Sequence, residues 1–303
     1  MSSAGSQGSG PPANPAAGSP TGALGEDEVE VALTGIQLGV AAGVGRVVAA
    51  GARAGGLADR VVLVGPIDPC GECDVCRRGG AAVCPLARRR TSLGARVIAA
   101  GRWVVPLDDG LELPAPIAAA VAGDVVLAYT LYARTGVAPR DPVVVVGGSP
   151  IARFLVEILI AKGVAPVAVA GPGPWADWLA GKGVTIAPEA DAPAALAAAF
   201  AAQSLGTRPW RVICGDPAAT AAAAQLAGPR ATLTLLAGPA GAASALAADV
   251  LAREVTIIGV AGAHPDLVVE AAALCVQGDV DLAAGTTLSD APLRTRVRAA
   301  VTP

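Results

Sequence analysis

Four cysteines in the first third of the chain have the spacing of a metal centre. Cys70, Cys73 and Cys76 are separated by two residues each, and seven residues lie between Cys76 and Cys84. Such gaps on tight turns let thiolates converge on one ion, and zinc accepts four of them tetrahedrally with no open position. The spacing therefore predicts one structural Zn²⁺ per chain. The absence of a secretory hydrophobic segment disfavours the alternative, a pair of disulfides.

The residues around these cysteines resemble a known family. Residues 58–62 (ADRVV) and 69–79 (PCGECDVCRRG), followed by Cys84, are similar to the structural-zinc lobe of the medium-chain dehydrogenase/reductases. Zinc-dependent alcohol dehydrogenases are the best-known members of that family. The resemblance covers nearly the whole chain, in a shortened form. It implies an α/β protein with a Rossmann-type doubly wound parallel sheet and a smaller, mainly β, GroES-like domain that carries the zinc lobe.

Composition and resemblance together predict four segments. Residues 1–25 contain mostly Gly, Pro, Ser and Ala and cannot bury enough surface to offset their ordering entropy, so we expect a disordered tail. Residues 26–120 would form a truncated GroES-like domain with the zinc lobe at 70–84. Residues 121–278 would form the Rossmann-type cofactor domain, and residues 279–303 would return to the first domain.

Periodicity places the strands and helices of these domains. Acidic and apolar residues alternate over 28–34, as in a half-buried strand. Further strands are expected at 43–51, 60–64 and within 92–105. The segment 108–114, called the exit below, is expected to lead out of this domain. A helix should run from Ile117 to about Thr135. Unbroken apolar strands alternate with helices beyond it, which is typical of a buried parallel sheet. These strands are expected at 142–146, 167–170, 184–187, 212–214, 232–236 and 255–259, with helices at 153–162 and 266–277.

The turn after the first parallel strand is the candidate nucleotide site. A Gly-x-Gly-x-x-Gly/Ala turn places a pyrophosphate on backbone N–H groups at a helix N-terminus. Its three positions here are Gly147, Ser149 and Ala152, so a side chain stands where the backbone should approach the phosphate. The second parallel strand ends in Ala170-Gly171-Pro172, without the acidic or basic residue that would bind the ribose or its phosphate. The cofactor-binding candidates, for an NAD(P) whose binding stays in doubt, are Gly147, Gly148, Ser149, Pro150, Ile151, Ala152 and Gly171.

The ligands of a catalytic zinc are missing. The resemblance implies a Cys where Gln37 stands, a His-Glu pair where Val40-Ala41 stands, and a third ligand near Asp124. The segment that normally carries proton-relay and substrate residues is absent between Gln37 and Leu38. The single histidine, His264, belongs to the second domain, where a loop or helix-cap position is expected. No catalytic residue is therefore assigned.

Three functions remain open. The favoured one is a catalytically silent structural or regulatory subunit. The alternative is a zinc-independent NAD(P)H-dependent oxidoreductase acting on an activated carbonyl or enoyl substrate, with a coenzyme A thioester as one option. A nucleic-acid binder is disfavoured by a net charge of −3 and 3% aromatic residues. Charges and Gly or Pro interrupt every long apolar run, which argues against a membrane span.

Partners and location follow from the same observations. We expect a homo-oligomer, or a hetero-oligomer with an active relative, because the resemblance implies pairing through the cofactor-domain sheets. Thiolate-rich zinc sites suit a reducing cytosol, so a cytoplasmic location is expected. A cluster of arginines makes the zinc lobe basic and could bind a phosphate-bearing ligand or an acidic chain, although a solvated face is the simpler interpretation. Its members are Arg77, Arg78, Arg88, Arg89 and Arg90.

Overall fold

Two six-stranded sheets, a short two-stranded hairpin and a buried connecting helix organise the described part of the chain. The structure, a computed structural model, describes residues 23–37, 41–107, 113, 115–206, 208–237, 250, 252–280 and 297–299. Most of the predicted tail, most of the exit at 108–114 and most of the C-terminal return lie outside these residues.

An antiparallel six-stranded sheet forms the first unit. In it β1 pairs with β2, β6 and β14, β2 pairs with β3, and β3 pairs with β7. Val29, Val31 and Leu33 alternate along β1 and fill the core of this unit. The strands are β1 (Glu28–Gln37), β2 (Ala42–Ala50), β3 (Val61–Val64), β6 (Arg96–Ala100), β7 (Val104–Pro106) and β14 (Val297–Ala299).

The cysteine-rich lobe projects from this sheet on a short hairpin. Strand β4 (Ile67–Asp68) pairs with β5 (Arg88–Arg89), and helix α1 (Asp74–Arg77) lies between them in the chain. The buried carboxylate of Asp68 accepts hydrogen bonds from Arg90 at 2.9 and 2.5 Å. Because Arg90 also donates to the carbonyls of Gly65 and Ile98, this ion pair fixes the base of the lobe to the sheet.

The second unit is a parallel six-stranded sheet of order β10-β9-β8-β11-β12-β13. In chain order this is 3-2-1-4-5-6, the strand order of a doubly wound dinucleotide-binding fold. The strands are β8 (Val143–Val146), β9 (Val167–Ala170), β10 (Thr185–Pro188), β11 (Arg211–Cys214), β12 (Thr232–Leu236) and β13 (Thr256–Val260). The helices are α4 (Pro150–Ala161), α5 (Pro174–Gly181), α6 (Ala192–Ala202), α7 (Thr220–Leu226) and α8 (Val268–Val276).

One continuous helical stretch joins the units. It consists of α2 (Ala115–Ala120), a π-helical turn (Val121–Val125) and α3 (Val126–Thr135). The segment Ile117–Thr135 is long and apolar enough to cross a membrane, and 78% of its apolar window is buried inside the fold. This burial reflects its place in a core that extends from β2 and β3 to α4 and α8.

The predicted elements are present, with corrected boundaries. The helix expected from Arg153 begins at Pro150, because Ser149 caps it and proline suits a first helical turn. The strand expected at 184–187 runs one residue later, over Thr185–Pro188. The final helix begins at Val268 after a 3₁₀ turn at Pro265–Leu267.

Candidate metal centre and nucleotide loop

The four cysteine sulfurs meet in one cluster. All four Sγ atoms lie within 4.8 Å of one another. The Sγ–Sγ distances are 3.6 Å for Cys70–Cys84, 3.8 Å for Cys73–Cys84 and 4.0 Å for Cys70–Cys76. A tetrahedron with zinc–sulfur bonds of ~2.3 Å has edges of about 3.8 Å. The thiols therefore already have the geometry that a tetrahedral thiolate-bound metal requires.

Backbone N–H groups favour thiolates at this cluster. The N–H of Cys73 donates to Sγ of Cys70, and the N–H of Cys70 donates to Sγ of Cys84, both at 3.4 Å. Backbone donors at Glu72 and Cys73 lower the pKa of Cys70 to about 6. Desolvation and hydrogen bonds shared with neighbouring thiols raise the pKa of Cys76 to about 12. Binding of a metal ion by these thiols would release their protons.

Two side chains from the turn between β6 and β7 hold the backbone at the first cysteine. Arg102 donates to the carbonyl of Cys70, and its guanidinium lies 4.0 Å from the carboxylate of Glu72. The indole N–H of Trp103 donates to the carbonyl of Pro69 at 2.6 Å. A guanidinium at this place would offset the excess negative charge of four thiolates around a divalent ion.

The predicted arginine cluster does not form one free basic face. Arg90 is buried against Asp68, while Arg88 contacts the carboxylates of Glu28 at 2.9 Å and Asp68 at 3.4 Å. Arg89 donates to the carbonyl of Ala82. Only Arg77 and Arg78 of the five are exposed without such contacts among the described residues. A phosphate-bearing ligand at the lobe remains a prediction, now reduced to these two side chains.

The turn after β8 is a tight turn that requires glycine at its first position. Gly147 has a φ of +102°, and a Cβ built on it would lie 2.5 Å from Cβ of Asp216. Only glycine fits this turn without displacing its neighbour. A Cβ on Gly148 would contact the indole of Trp175 at 3.5 Å. The turn is therefore packed between the loop after β11 and the first turn of α5.

The side chain of Ser149 occupies a backbone N–H group at the start of α4 that a phosphate would need. Its hydroxyl accepts from the backbone N–H of Ala152 at 3.2 Å and donates to the carbonyl of Gly215 at 2.8 Å. In the structure this side chain therefore caps α4. Because the cap uses an N–H of the helix N-terminus, the residues fit a pyrophosphate only in part.

A carboxylate that sequence reasoning missed lies beside Gly171. Pro188 pairs with Ala170 in a parallel register, so strands β10 and β9 end at the same edge of the sheet. Oε2 of the exposed Glu189 lies 3.3 Å from where a Cβ of Gly171 would stand. The segment after β9 carries no charge of its own, and the carboxylate beside it comes from the residue that follows β10.

Gln37 and Asp124 meet in the core between the units. The Oε1 atom of Gln37 accepts the backbone N–H of Asp124 at 3.1 Å, and the two residues are 0% and 1% exposed. Asp124 lies in the π-helical turn, a distortion that often marks functional positions. Two of the positions at which the resemblance implies zinc ligands are thus in contact. Of the expected His-Glu positions, Val40 lies outside the described residues and Ala41 is buried.

His264 connects the second unit to the zinc lobe. Its Nε2 atom lies 2.8 Å from the carbonyl of Gly79, and its Nδ1 atom lies 3.5 Å from a carboxylate oxygen of Asp266. Its backbone N–H donates to the hydroxyl of Thr130 in α3. The residue precedes a 3₁₀ turn, as expected for a loop position, but its side chain makes a contact between the units that the sequence did not reveal.

These features define the fold of the medium-chain dehydrogenase/reductases: a GroES-like domain with a thiol-rich lobe, followed by a Rossmann-type domain. An NAD-dependent alcohol dehydrogenase is 20% identical, with a TM-score of 0.71 over 87% of this chain and 85% of that one. An alcohol dehydrogenase from Escherichia coli, complexed with NADH, is 16% identical, with a TM-score of 0.69 over 84% of this chain and 82% of that one. A putative zinc-binding dehydrogenase from Sinorhizobium meliloti, bound to NADP, is 18% identical, with a TM-score of 0.67 over 86% of this chain and 84% of that one.

Sequence comparison adds no closer relationship. No protein-family profile matches the chain, and no curated protein matches it. At these identities the structural likeness defines the fold alone.

Proposed function

We propose that this chain is a catalytically silent protein of the dehydrogenase fold, which has lost the catalytic zinc site and serves as a structural or regulatory subunit. The observation that carries the proposal is the buried hydrogen bond between Gln37 and Asp124. A catalytic zinc needs three protein ligands and an open position for water or substrate. A carboxamide bonded to a backbone N–H gives zinc neither a thiolate nor an imidazole.

The position of the only histidine supports the same conclusion. Imidazole is the commonest ligand for a catalytic zinc. His264 donates to Gly79 of the lobe, and its backbone is held by Thr130, so it serves a contact between the units. With Val40 and Ala41 in place of a His-Glu pair, the chain lacks the ligands for a second metal.

We assign the four-cysteine cluster to one structural Zn²⁺ per chain. Cys70, Cys73, Cys76 and Cys84 would hold the ion, and the distances between their sulfurs suit its tetrahedral coordination. The ion would supply folding energy to a lobe with little regular structure of its own. A silent protein would keep such a centre for stability and assembly.

The partner that we propose is a second copy of this chain or an active relative, in the cytoplasm. Among the described strands, β13 lies at the end of the parallel sheet and is paired on one side only. Ile257 in this strand is 45% exposed. An exposed strand edge with an apolar residue is suited to pairing with another chain. We propose neither a nucleic acid nor a membrane as a partner.

A zinc-independent NAD(P)H-dependent oxidoreductase is the second candidate. It is favoured by the retained turn at Gly147 and by the carboxylate of Glu189 near Gly171, both of which suit a dinucleotide. Such an enzyme would polarise a carbonyl or enoyl substrate with hydroxyl and backbone donors. The capped N-terminus of α4 counts against tight pyrophosphate binding.

Turnover separates the two candidates. The zinc-loaded chain should not oxidise NADH or NADPH above the uncatalysed rate with a panel of aldehydes, ketones, enones and enoyl thioesters. An active zinc alcohol dehydrogenase in the same assay provides the positive control. Saturable turnover by this chain alone would overturn the silent assignment and support the oxidoreductase. Sedimentation of the purified chain tests the oligomer, and a monomer at micromolar concentration would contradict self-association.

A further inference from the structure

We propose that three exposed arginines, Arg140, Arg208 and Arg230, form a docking surface for an acidic helix of a partner protein. This surface, called the arginine row below, lies where the strands of the parallel sheet begin, at the end opposite to the turn after β8. The inference goes beyond the proposed function and does not depend on it, because a partner bound here requires neither turnover nor a nucleotide.

The first support is the place of the three arginines in the fold. Arg140 lies just before β8, Arg208 just before β11 and Arg230 just before β12. These strands are successive neighbours in a parallel register, so all three arginines lie at the same end of the sheet. Neighbouring strands are about 4.8 Å apart, so the row spans roughly 10 Å. The guanidinium of Arg208 donates to the carbonyl of Arg140 at 2.9 Å, which places these two residues side by side.

The second support is that no carboxylate neutralises the row. All three arginines are exposed, and none of them forms an ion pair within the part of the chain that the structure describes. Asp141, which follows Arg140 in the sequence, pairs instead with Arg211 at 3.3 Å and accepts the backbone N–H of Ala138. Positive charges of one sign placed this close together attract an anionic partner.

The third support is that the fold does not use these charges, whereas it uses the other cations at this end of the sheet. Lys162 and Lys182 occupy the C-cap positions of α4 and α5, and Arg253 donates to carbonyls at the end of α7. Positive charge at a helix C-terminus is favoured by the helix dipole. Among the described residues, the only hydrogen bond donated by a side chain of the row is that of Arg208 to a loop carbonyl.

The fourth support is the backbone of Arg230. Its φ is +59°, in a turn that the N–H of Ala231 closes by donating to the carbonyl of Gly228 at 3.1 Å. This left-handed region favours glycine and asparagine over arginine. The arginine therefore strains the turn, and its guanidinium makes no contact among the described residues that would offset the strain. A carboxylate of a partner would supply that contact.

The spacing of the row suits carboxylates on a helix. Residues i, i+4 and i+7 of an α-helix share one face and span roughly 10 Å at ~1.5 Å per residue, which matches the row. Residues on one face of an extended peptide are about 6.7 Å apart, so three of them reach too far. Three guanidiniums are few for a nucleic acid, whose binders typically neutralise about six or more phosphates. Asp141 and the exposed Glu254, just before β13, would also repel a phosphate chain or an anionic lipid surface.

Fluorescence anisotropy of a labelled, alanine-rich helical peptide tests this proposal on the full chain. The peptide carries glutamate at positions i, i+4 and i+7, and a matched peptide carries glutamine there. We expect the glutamate peptide to bind more tightly than the glutamine peptide, and to bind less tightly as salt is added. A triple variant with Arg140→Gln, Arg208→Gln and Arg230→Gln should bind it about tenfold more weakly, the combined factor of three exposed ion pairs.

Two further variants separate the row from net charge and from folding. A triple variant with Arg46→Gln, Arg53→Gln and Arg96→Gln removes three exposed arginines from the antiparallel unit and should keep the affinity. Arg230→Asn places a residue that suits the left-handed turn, so it should weaken binding about threefold without lowering the Tm. Loss of binding in this variant therefore reports the guanidinium and not a damaged fold.

Three results would overturn the proposal. One is equal affinity for the glutamate and glutamine peptides, or no binding of either up to millimolar concentration. Another is an equal loss of affinity in the two triple variants, which would mean that the peptide responds to net charge and not to the row. The third is tighter binding of duplex DNA or of vesicles with anionic lipid than of the glutamate peptide, since the row would then serve another class of partner.

Discussion

The imidazole of His264 donates a hydrogen bond from Nε2 to the carbonyl oxygen of Gly79, at a distance of 2.8 Å. Since a carbonyl only accepts, the proton must be on Nε2. Gly79 lies between the third and fourth cysteines of the zinc lobe, while the backbone of His264 is bonded to Thr130 of the buried helix α3. The cysteine lobe and the Rossmann-type unit are therefore in contact through this side chain.

Loss of this side chain should loosen the lobe. We expect His264→Ala to lower the free energy of unfolding by about 1 kcal/mol, the typical contribution of one hydrogen bond. Amide hydrogen exchange at residues 79–83 should accelerate more than exchange in β8 or β9. His264→Gln, which keeps an N–H donor, should restore part of the protection. Unchanged exchange in the alanine variant would show that the lobe is held by other contacts.

Metal content should follow the four clustered cysteines alone. Metal analysis of the purified chain should give one zinc, and Cys76→Ser or Cys84→Ser should lose it together with several kcal/mol of stability. Cys275→Ser removes a buried thiol outside the cluster and should retain the metal. Full zinc content in Cys84→Ser would exclude the four-thiolate centre.

Thiol alkylation should separate the two groups of cysteines. Desolvation in the core raises the pKa of Cys214 to about 11 and that of Cys275 to about 12. Below those values both remain thiols, and the thiolate is the nucleophile, so both should react slowly with iodoacetamide at pH 8. After chelation Cys70, whose pKa is about 6, should react first. Mass spectrometry of the modified peptides measures this order, and early modification of Cys214 would contradict it.

The buried ion pair at the base of the lobe should contribute strongly to stability. Asp68 and Arg90 are 6% and 7% exposed, so Asp68→Ala leaves a buried guanidinium uncompensated and should cost about 3–5 kcal/mol. The matched control is the more exposed pair of Arg96 and Glu30, where Glu30→Ala should cost less than about 1 kcal/mol. Urea unfolding measures both, and equal losses would contradict the role assigned to Asp68.

Local patterns account for what the sequence predicted well. The cysteine cluster follows from spacing within fifteen positions, and the unbroken apolar run of β8 indicates a strand buried on both faces. The sequence prediction begins α4 three residues late, because it treats Ser149 as a phosphate-loop residue and not as a helix cap. A Ser-Pro pair before an apolar run is a signal that could have found it.

The missed features depend on contacts between distant residues. Glu189 reaches Gly171 only because β10 lies beside β9 in a parallel register. The bond between Gln37 and Asp124 spans 87 positions, and that between His264 and Gly79 spans 185. Periodicity and turn signals carry no information on such pairs, because they report the environment of one segment at a time.

Replacing Ser149 tests whether its cap restricts the nucleotide loop. Ser149→Gly completes a Gly-x-Gly-x-x-Ala turn and frees the N–H of Ala152, which can then donate to a phosphate. We expect NADH affinity to rise about tenfold, the factor that one hydrogen bond to a charged group supplies. Stability should fall by only a few tenths of a kcal/mol, because glycine is itself an acceptable cap.

Ser149→Ala provides the matched control. It removes the same hydroxyl but keeps a methyl group where the backbone should approach the phosphate, so it should lose about 1 kcal/mol of stability without a comparable gain in affinity. Equal NADH affinities for the serine, glycine and alanine forms would mean that the helix N-terminus does not contact the phosphates. A gain in the glycine form alone would identify one hydroxyl as the restriction on the turn.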